Sequence, residues 1–244
     1  MQGSDQVVEL LDDVRAAMRD LTSALEDDSG GPQILTTICA EAVRVVPGAD
    51  MASITAIRGQ HAETAAYTDE RALKVDVAQY EAGHGPCLEA ARTGQTVRLS
   101  IDTASEKWPD FVASAKLHAV RSYLAAPLRV DDRLAGAINL FGFGDHGFKE
   151  TDSKLLELYT TIVGFGLRTN RRYQETRAVA TNLEAAMRSR AVIEQAKGIL
   201  MAVHKLTDEQ AMDRLIKQSQ HQNVKLRDVA GEFVRRMSTA PDGA

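Results

Sequence analysis

A helical pattern runs without a proline from about Thr151 to His204, and no other feature constrains the fold of this chain as strongly. Apolar residues recur every three or four positions along it, which is the period of a helix with one buried face. Such a run exceeds the helices of ordinary globular domains and indicates a connector or a coiled coil. We therefore expect two folded parts joined by a helix, dimers formed through that helix, and any break in it near Gly164 and Gly166.

The part before this helix mixes two periods. Alternating or β-branched runs predict strands at 50–57, 62–67, 96–101, 122–128 and 134–143. Helical stretches are expected near 5–26, 32–43, 70–82, 86–93 and 109–119. Short turns join the first two strands and, through Asp131 and Asp132, the last two. Strands connected partly by hairpins and flanked by helices predict an α+β domain built on one antiparallel sheet.

Two shorter helices are expected after the long one. Thr207 and Gln210 form a T-x-x-Q capping box, which marks the start of a helix. Apolar residues from Leu226 to Met237 fall at i, i+3, i+4 and i+7, which predicts a second amphipathic helix. Together with the end of the long helix, they predict an all-α unit of three helices.

Charge is distributed unevenly along the chain. The net charge is −5, yet residues 168–237 carry 14 Lys and Arg against 8 Asp and Glu, a net charge of +6. The remaining residues therefore hold a net charge of −11. An acidic body with a basic segment points to a polyanion partner for that segment alone. A basic helix pair in a dimer linker would produce a similar count, so both interpretations stay open.

Composition argues against several classes of protein. Cys39 and Cys87 lie far apart and are the only cysteines, which fits neither a disulfide scaffold nor a metal site and indicates a reducing cytoplasm. The sequence shows no signal peptide and no run of about 18 apolar residues, so we expect a protein that is neither secreted nor membrane-spanning. No phosphate-binding glycine loop, nucleophile elbow or paired carboxylate motif occurs. We therefore expect no enzyme, no catalytic or metal-binding residue, and no cofactor.

The stretch "SRAVIEQAKGILM" at 189–201 places a lysine and a glycine inside a strong helical pattern, although glycine within a helix costs roughly 1 kcal/mol relative to alanine. On a helical wheel Arg190 and Lys197 fall on the outward face, with Gly198 beside them. The expected core stripe consists of Val192, Ala196, Ile199, Leu200 and Val203. One interpretation is that a polyanion backbone approaches this outward face closely. The other is that Gly198 permits close helix packing while Lys197 is solvated.

The segment "SQHQNVKLRDVA" at 219–230 brings Ser219, Asn223 and Lys225 together at the turn between the last two helices. Helix N-termini present free N–H groups to phosphates, and Ser and Asn side chains can bind base edges. Asn223 is also a residue typical of a helix N-cap, so the turn has a purely structural interpretation as well.

These two stretches resemble the ANTAR domain, the RNA-binding three-helix module of bacterial transcription antitermination regulators. The resemblance runs from about Leu183 to Met237. It implies that RNA is bound by Arg190, Lys197, Gly198, Ser219, Asn223 and Lys225. Two positions depart from the family, because Met212 stands where Phe is usual and Ile216 where Arg is usual. If that arginine touches RNA in relatives, this protein binds through neighbouring Arg214 and Lys217 or binds more weakly.

The stretches "YEAGHGPCLEAARTGQTVRL" and "GFKETDSKLLELYTTIVG", with the strand pattern between Lys107 and Phe141, are similar to GAF domains. This resemblance covers about 32–167, and its most specific part is the Gly85-Pro86-Cys87 turn, while His84 replaces a common Glu. GAF domains are small-molecule sensing and dimerisation modules that precede ANTAR in many regulators. Their ligands vary so widely that the fold does not name one.

Five residues of this domain are candidates for a ligand site. Cys87 lies just inside a helix N-terminus, where a thiol pKa can be lowered, and this favours a redox or chromophore-binding role. A free cysteine is also a small buried hydrophobe. A pocket lined by Tyr67, Trp108, Phe111 and Tyr123 is one interpretation of the nearby aromatic residues, and plain core packing is the other.

Together the resemblances imply a cytoplasmic, homodimeric GAF–ANTAR regulator of transcription antitermination. Each ANTAR unit would bind a stem with a hexanucleotide loop, so that a dimer on two tandem stem-loops prevents an overlapping terminator, under control of the GAF domain. Two alternatives remain, a DNA-binding helical module and a signal-binding dimerisation protein whose tail docks on another protein. The expected parts are an N-terminal helix (1–31), the GAF domain (32–167), a helical linker (168–182), the ANTAR domain (183–237) and a tail (238–244).

Overall fold

The structure, a computed structural model, describes two compact units that divide the chain between Arg172 and Tyr173. The described residues are 12, 15–20, 22–23, 32–59, 61–130 and 135–238. Part of the helix expected at 5–26 lies outside them, although residues 12, 15–20, 22 and 23 are helical. The turn at Asp131 and Asp132 and most of the tail also lie outside the described residues.

The first unit contains the expected mixture of helices and strands. Its helices are α1 (Pro32–Val45), α2 (Glu70–Ala82), α3 (Pro86–Thr93) and α4 (Pro109–Leu117), and α5 begins at Glu150. Its strands are β1 (Met51–Arg58), β2 (His61–Tyr67), β3 (Val97–Ser100), β4 (Ser122–Arg129) and β5 (Ala135–Gly142). These elements confirm the strand and helix patterns, because the switch between periods of two and 3.6 is strong throughout this part of the sequence.

The strands form one antiparallel sheet in the order β2-β1-β5-β4-β3. One face packs on α1 and α5, through side chains such as Ile38, Ile138 and Tyr159. The other face packs on α2, α3 and α4. The central strands are therefore buried on both faces, and alternate residues of each strand belong to different cores.

The long helix α5 extends without interruption over Glu150–His204, so the expectation of a break near Gly164 and Gly166 is wrong. Gly164 has a different reason to be glycine. A Cβ atom there would lie 2.8 Å from the carbonyl oxygen of Arg129 at the end of β4. The missing side chain therefore lets the helix approach the sheet closely instead of interrupting the helix.

The second unit is built from helices. The end of α5 packs with α6 (Asp208–Gln222) and α7 (Leu226–Ser238) around a small core. That core contains Ala196, Leu200, Ala211, Leu215 and Ala230. The predicted capping box is present, since the Thr207 hydroxyl accepts from the Gln210 amide and the Gln210 side chain accepts from the Thr207 amide.

Candidate functional site

The motif at the end of α5 is oriented differently from the helical-wheel prediction. Ala196 and Leu200 are buried as expected, but Val203 is 56% exposed. Lys197, which was expected on the outward face, is only 8% exposed. The prediction was wrong because α6 packs along the edge of the apolar stripe and extends the buried arc over Ile193 and Lys197.

The Lys197 ammonium lies between two carboxylates. Its Nζ is 2.6 Å from Asp208 Oδ1, at the first residue of α6, and 3.1 Å from Glu194 Oε2, one turn earlier on α5. Hydrogen bonds from Lys197 to Asp208 and then to Glu194 raise the pKa of the lysine. The side chain is therefore charged at neutral pH and already has two anionic partners.

Gly198 and Arg190 occupy a different part of the α5 surface. Gly198 is exposed, and a Cβ atom built on it would meet nothing within 4 Å. Close helix packing therefore does not explain this glycine. Arg190 is exposed, and the described residues provide it with no ion pair. The open backbone and the free guanidinium are the features of this helix that remain accessible to a polyanion.

The turn between α6 and α7 contains the other three predicted residues. Asn223 is not the helix N-cap that its residue type suggested, because it ends α6 at φ 51°, in the left-handed region. Its N–H reaches the carbonyl oxygens of Gln220 and Ser219. The Val224 N–H also reaches the Ser219 carbonyl, which completes a Schellman-type helix end. The Ser219 hydroxyl donates to the Val224 carbonyl oxygen at 2.5 Å. Ser219 is thus engaged within the turn.

Asn223 and Lys225 leave polar groups available at this turn. The Asn223 side chain is exposed and makes no hydrogen bond with the described part of the chain. Lys225 directly precedes α7 and is exposed, without an ion pair among the described residues. The structure brings Ser219, Asn223 and Lys225 together, but no contact between described residues joins them to Arg190 or Lys197.

The two departures from the ANTAR pattern are both half-buried. Met212 and Ile216 lie on α6 beside the buried residues Ala211 and Leu215. Arg214 and Lys217 on the same helix are exposed, and neither has an ion pair within the described part of the chain. Cations therefore flank the position at which relatives usually have an arginine.

In the first unit, four of the five candidate ligand residues pack in one core, against α2, α3 and α4. Cys87, Trp108, Phe111 and Tyr123 all belong to it, and the Phe111 and Tyr123 rings meet edge to face at 5.0 Å. Tyr67 does not join them, because it lies at the exposed end of β2. The expected pocket is thus incomplete at Tyr67, and the other aromatic residues contact one another as core side chains.

Cys87 has the opposite electrostatic environment from the one its helix position predicted. The thiol is fully buried, and burial raises the pKa of Cys87 well above its usual value, with a further upward contribution from Asp76. The helix N-terminus does not overcome this desolvation. A reactive thiolate is therefore not favoured at Cys87.

A buried polar cluster, which was not predicted from the sequence, lies beside Cys87 on the same face of the sheet. We call it the Asp76 cluster, and it consists of Ser53, Thr55, Thr64, Asp76 and Asn139. Thr64 donates to Asp76 Oδ2 at 3.0 Å, and Asn139 Nδ2 lies 3.3 Å from Asp76 Oδ1. Asn139 Nδ2 also lies 2.8 Å from the Thr55 hydroxyl.

The Asp76 carboxyl has no cationic partner among the described residues. Burial raises the pKa of Asp76 to about 7, although hydrogen bonds from Ser53, Thr64 and Asn139 oppose the shift. Three neighbouring buried atoms also lack a hydrogen-bond partner, namely Gln79 Nε2, Tyr123 OH and Asn139 Oδ1. Each buried polar atom that is left without a partner costs free energy.

No group of His, Cys, Asp and Glu has an arrangement that would hold a metal ion in the described ranges. Among the helices of the described part, none combines the length and the apolar character needed to cross a membrane.

Two solved structures are similar to the part of the chain that contains the first unit. The phycoerythrobilin-bound GAF domain of a cyanobacterial phytochrome is 13% identical, with a TM-score of 0.50, over 66% of this chain and 97% of that one. A free methionine-R-sulfoxide reductase from Neisseria meningitidis is 20% identical, with a TM-score of 0.49, over 65% of this chain and 90% of that one. No curated protein matches the chain. At these identities the likeness concerns the fold alone.

Sequence families match both units. The GAF domain family matches residues 32–168, which is more than half of the chain, and the ANTAR domain family matches residues 181–234. GAF domains bind small-molecule signals and ANTAR domains bind RNA, and both are typically regulatory domains instead of enzymes. The chain therefore belongs to the GAF family and continues into an ANTAR domain, which makes it a GAF–ANTAR protein.

Proposed function

We propose that this protein is a transcription antitermination regulator that binds tandem RNA stem-loops as a dimer. Each ANTAR domain binds one stem with a hexanucleotide loop, and the bound dimer prevents an overlapping terminator from forming. The observation that carries the proposal is the ANTAR match over a three-helix unit whose Arg190 and Lys225 are exposed and unpaired within the described residues. Unpaired cations are the groups that phosphates attract most strongly.

The RNA contacts divide into two kinds. Arg190 and Lys225 neutralise phosphates, and the open backbone at Gly198 allows the RNA strand to come close. The Asn223 carboxamide binds a loop base or sugar, because an unstacked loop exposes base edges that a duplex hides. Ser219 supports this contact by fixing the turn. Arg214 and Lys217 supply the charge that Ile216 lacks.

Dimerisation is proposed through the start of the second unit. The described segment from Tyr173 to Met187 carries exposed apolar side chains, with Leu183 60% and Met187 65% exposed. Together with Ala180 they follow the alternating spacing of three and four that a two-stranded coiled coil requires. A second copy of the same helix would cover this stripe. We assign 168–182 to the linker, 183–237 to the ANTAR domain and 32–167 to the GAF domain.

The GAF domain is proposed to sense a small molecule that modulates RNA binding. Its site would lie next to the Asp76 cluster, where a ligand would satisfy Gln79 Nε2, Tyr123 OH and Asn139 Oδ1. Cys87, Trp108 and Phe111 would supply the apolar walls. We propose that the protein acts in the cytoplasm, which agrees with its two free, buried thiols.

RNA binding is tested with the full chain and tandem hexaloop stem-loops over a series of salt concentrations. Loop-scrambled stem-loops and duplex DNA are the controls for specificity. Lys225→Ala should weaken binding and reduce the salt dependence by about one phosphate contact. Arg188→Ala is the matched control, because Arg188 is an exposed cation already 3.5 Å from Glu184.

Three results would contradict the proposal. Tighter binding to a duplex with two half-sites would identify a DNA-binding regulator instead. Equal binding to all three nucleic acids, or none, would favour a tail that docks on another protein. In sedimentation, Leu183→Glu should dissociate the dimer, whereas Ala178→Glu on the opposite helix face should not. A dimer that persists with Leu183→Glu would exclude the proposed stripe.

A further inference from the structure

The corner between α5 and α6 is fixed by several local interactions. Lys205 turns the chain at φ 52°, and Leu206 packs against the core of the second unit. The capping box then starts α6 at Asp208. A carboxylate in the first turn of a helix is favoured by the helix dipole, so Asp208 is well placed on its own helix. Lys197 is the side chain that connects this helix start to α5.

The exposure of the three charged side chains shows which one is enclosed. The Lys197 side chain is 11% exposed, whereas those of Glu194 and Asp208 are 54% and 65% exposed. An approaching phosphate would therefore meet the two carboxylates before the ammonium. The three groups together carry one net negative charge, which repels a polyanion.

We infer that Lys197 is a positioning residue, which holds the start of α6 against α5 through Asp208, and that it does not bind RNA phosphates itself. This inference rests on the proposed RNA-binding function. Lys197 then links two helices through a buried ion pair, whereas Gly198 provides an open backbone. The phosphate contacts then fall to Arg190, Lys225 and the exposed cations of α6.

The two roles predict opposite effects of removing Asp208. If Lys197 is a phosphate contact, Asp208→Asn releases the ammonium, removes a repelling charge and tightens RNA binding. If Lys197 is a positioning residue, Asp208→Asn loosens the start of α6 and weakens RNA binding in the same way as Lys197→Met. Methionine keeps the unbranched stem of lysine and a good helix propensity, so only the ion pair is lost.

The experiment uses the full chain with Lys197→Met, Asp208→Asn and the double variant. RNA affinity is measured over a salt series, and amide hydrogen exchange of α6 is measured without RNA. Each single variant should weaken RNA binding roughly fivefold, and the double variant should be no weaker than either, because the two residues act through one contact. The salt dependence should stay that of the unmodified protein, since no phosphate contact is lost.

Two variants serve as matched controls. Glu209→Gln removes the neighbouring acid of the same helix turn, which makes no ion pair among the described residues, and should change neither readout. Lys197→Arg keeps the charge and should restore binding and exchange protection. If Lys197→Met does not fold, Asp208→Asn still decides the question, because its predicted effect on RNA binding has opposite signs under the two roles.

The inference is overturned if Asp208→Asn tightens RNA binding, or if Lys197→Met lowers the salt dependence as Lys225→Ala does. Unchanged exchange of α6 in both single variants would also overturn it. Failure of the proposed function looks different, because the unmodified protein would then bind no stem-loop while α6 still exchanged faster in both single variants.

Discussion

Asp76 in the GAF sheet and Lys197 in the ANTAR domain are both charged groups removed from water, yet their surroundings differ. Lys197 lies within 3.1 Å of two carboxylates, whereas Asp76 has only hydroxyl and amide partners in the described part of the chain. Ion pairing raises the pKa of Lys197, which favours its charged form, while burial raises the pKa of Asp76, which favours its neutral form. A buried charge therefore stabilises a fold only when an opposite charge lies beside it.

The largest effect is expected for Asp76→Asn. The folded pKa of Asp76 is about 7, above its unfolded value, so its stability contribution is complete in acid and is lost as pH rises from about 4 to 7. At pH 8 the substitution should raise the free energy of unfolding by roughly 4 kcal/mol and abolish this pH dependence. Thermal unfolding between pH 4 and about 8 measures the gain in stability and its dependence on pH. Hydrogen exchange of the sheet amides shows whether the change lies in the GAF unit.

Asp69→Asn is the control for that experiment. Hydrogen bonds from Arg71 lower the pKa of Asp69 to about 2, so its contribution is lost only as pH falls below about 4. Asp69→Asn should therefore leave the slope of the unfolding free energy against pH unchanged near neutral pH. A wild-type stability that does not fall between about pH 4 and 7 would show that Asp76 is not the uncompensated charge inferred here.

A smaller effect is expected when the compensated charge is removed. Lys197→Met should lower the free energy of unfolding of the ANTAR unit, and by less than the change at Asp76, because the carboxylates left behind remain solvated. The loss should be constant from about pH 6 to 9, since a raised lysine pKa keeps the ion pair until the solution is more alkaline than that pKa. Urea unfolding at several pH values measures it, and a loss that disappears at pH 8 would refute the ion-pair explanation.

Gly198→Ala should act in the other direction on stability. A Cβ atom there meets nothing within 4 Å, so alanine should stabilise the helix by up to about 1 kcal/mol. If RNA lies against this open backbone, its affinity should nevertheless fall. Urea unfolding and stem-loop binding on the same preparation separate the two effects. Unchanged affinity would show that RNA does not approach Gly198.

The smallest effect is expected at an exposed pair on the same helix. Glu184 and Arg188 lie 3.5 Å apart and are each 70% exposed. Glu184→Gln should change the free energy of unfolding by less than about 0.5 kcal/mol, because water and salt screen such pairs. This measurement sets the baseline against which Lys197→Met is compared, and an equal loss in the two variants would remove the distinction between them.

The arrangement of helices and strands could be predicted because it depends on hydrophobic period, which the sequence displays directly. The position of Lys197 could not, because a wheel gives the angle of a residue on its own helix but not where the next helix packs. The sequence pattern at 189–201 therefore located the motif and misplaced one of its side chains.

The Asp76 cluster depends on strand register, which the sequence does not state. Ser53 pairs with Asn139 across β1 and β5, and this pairing brings both beside Asp76. A signal was present, since Ser53, Thr55 and Asn139 are polar residues at alternate positions within otherwise apolar strands. Similarly, the turn at Asn223 was located correctly, but its left-handed conformation depends on how α6 ends.

The strand order also has a consequence for how the GAF domain assembles. Ser53 and Asn139 are 86 residues apart in the chain, and the sheet is complete only when β5, which also pairs with the preceding strand β4, pairs with β1. Closing so long a loop is a slow step in folding. Until it occurs, Asp76 on α2 lacks its partner Asn139 and faces an incomplete sheet. Pairing of β5 with β1 is therefore the step at which this carboxyl loses its water, and mild acid should accelerate that step, because the raised pKa favours the neutral form.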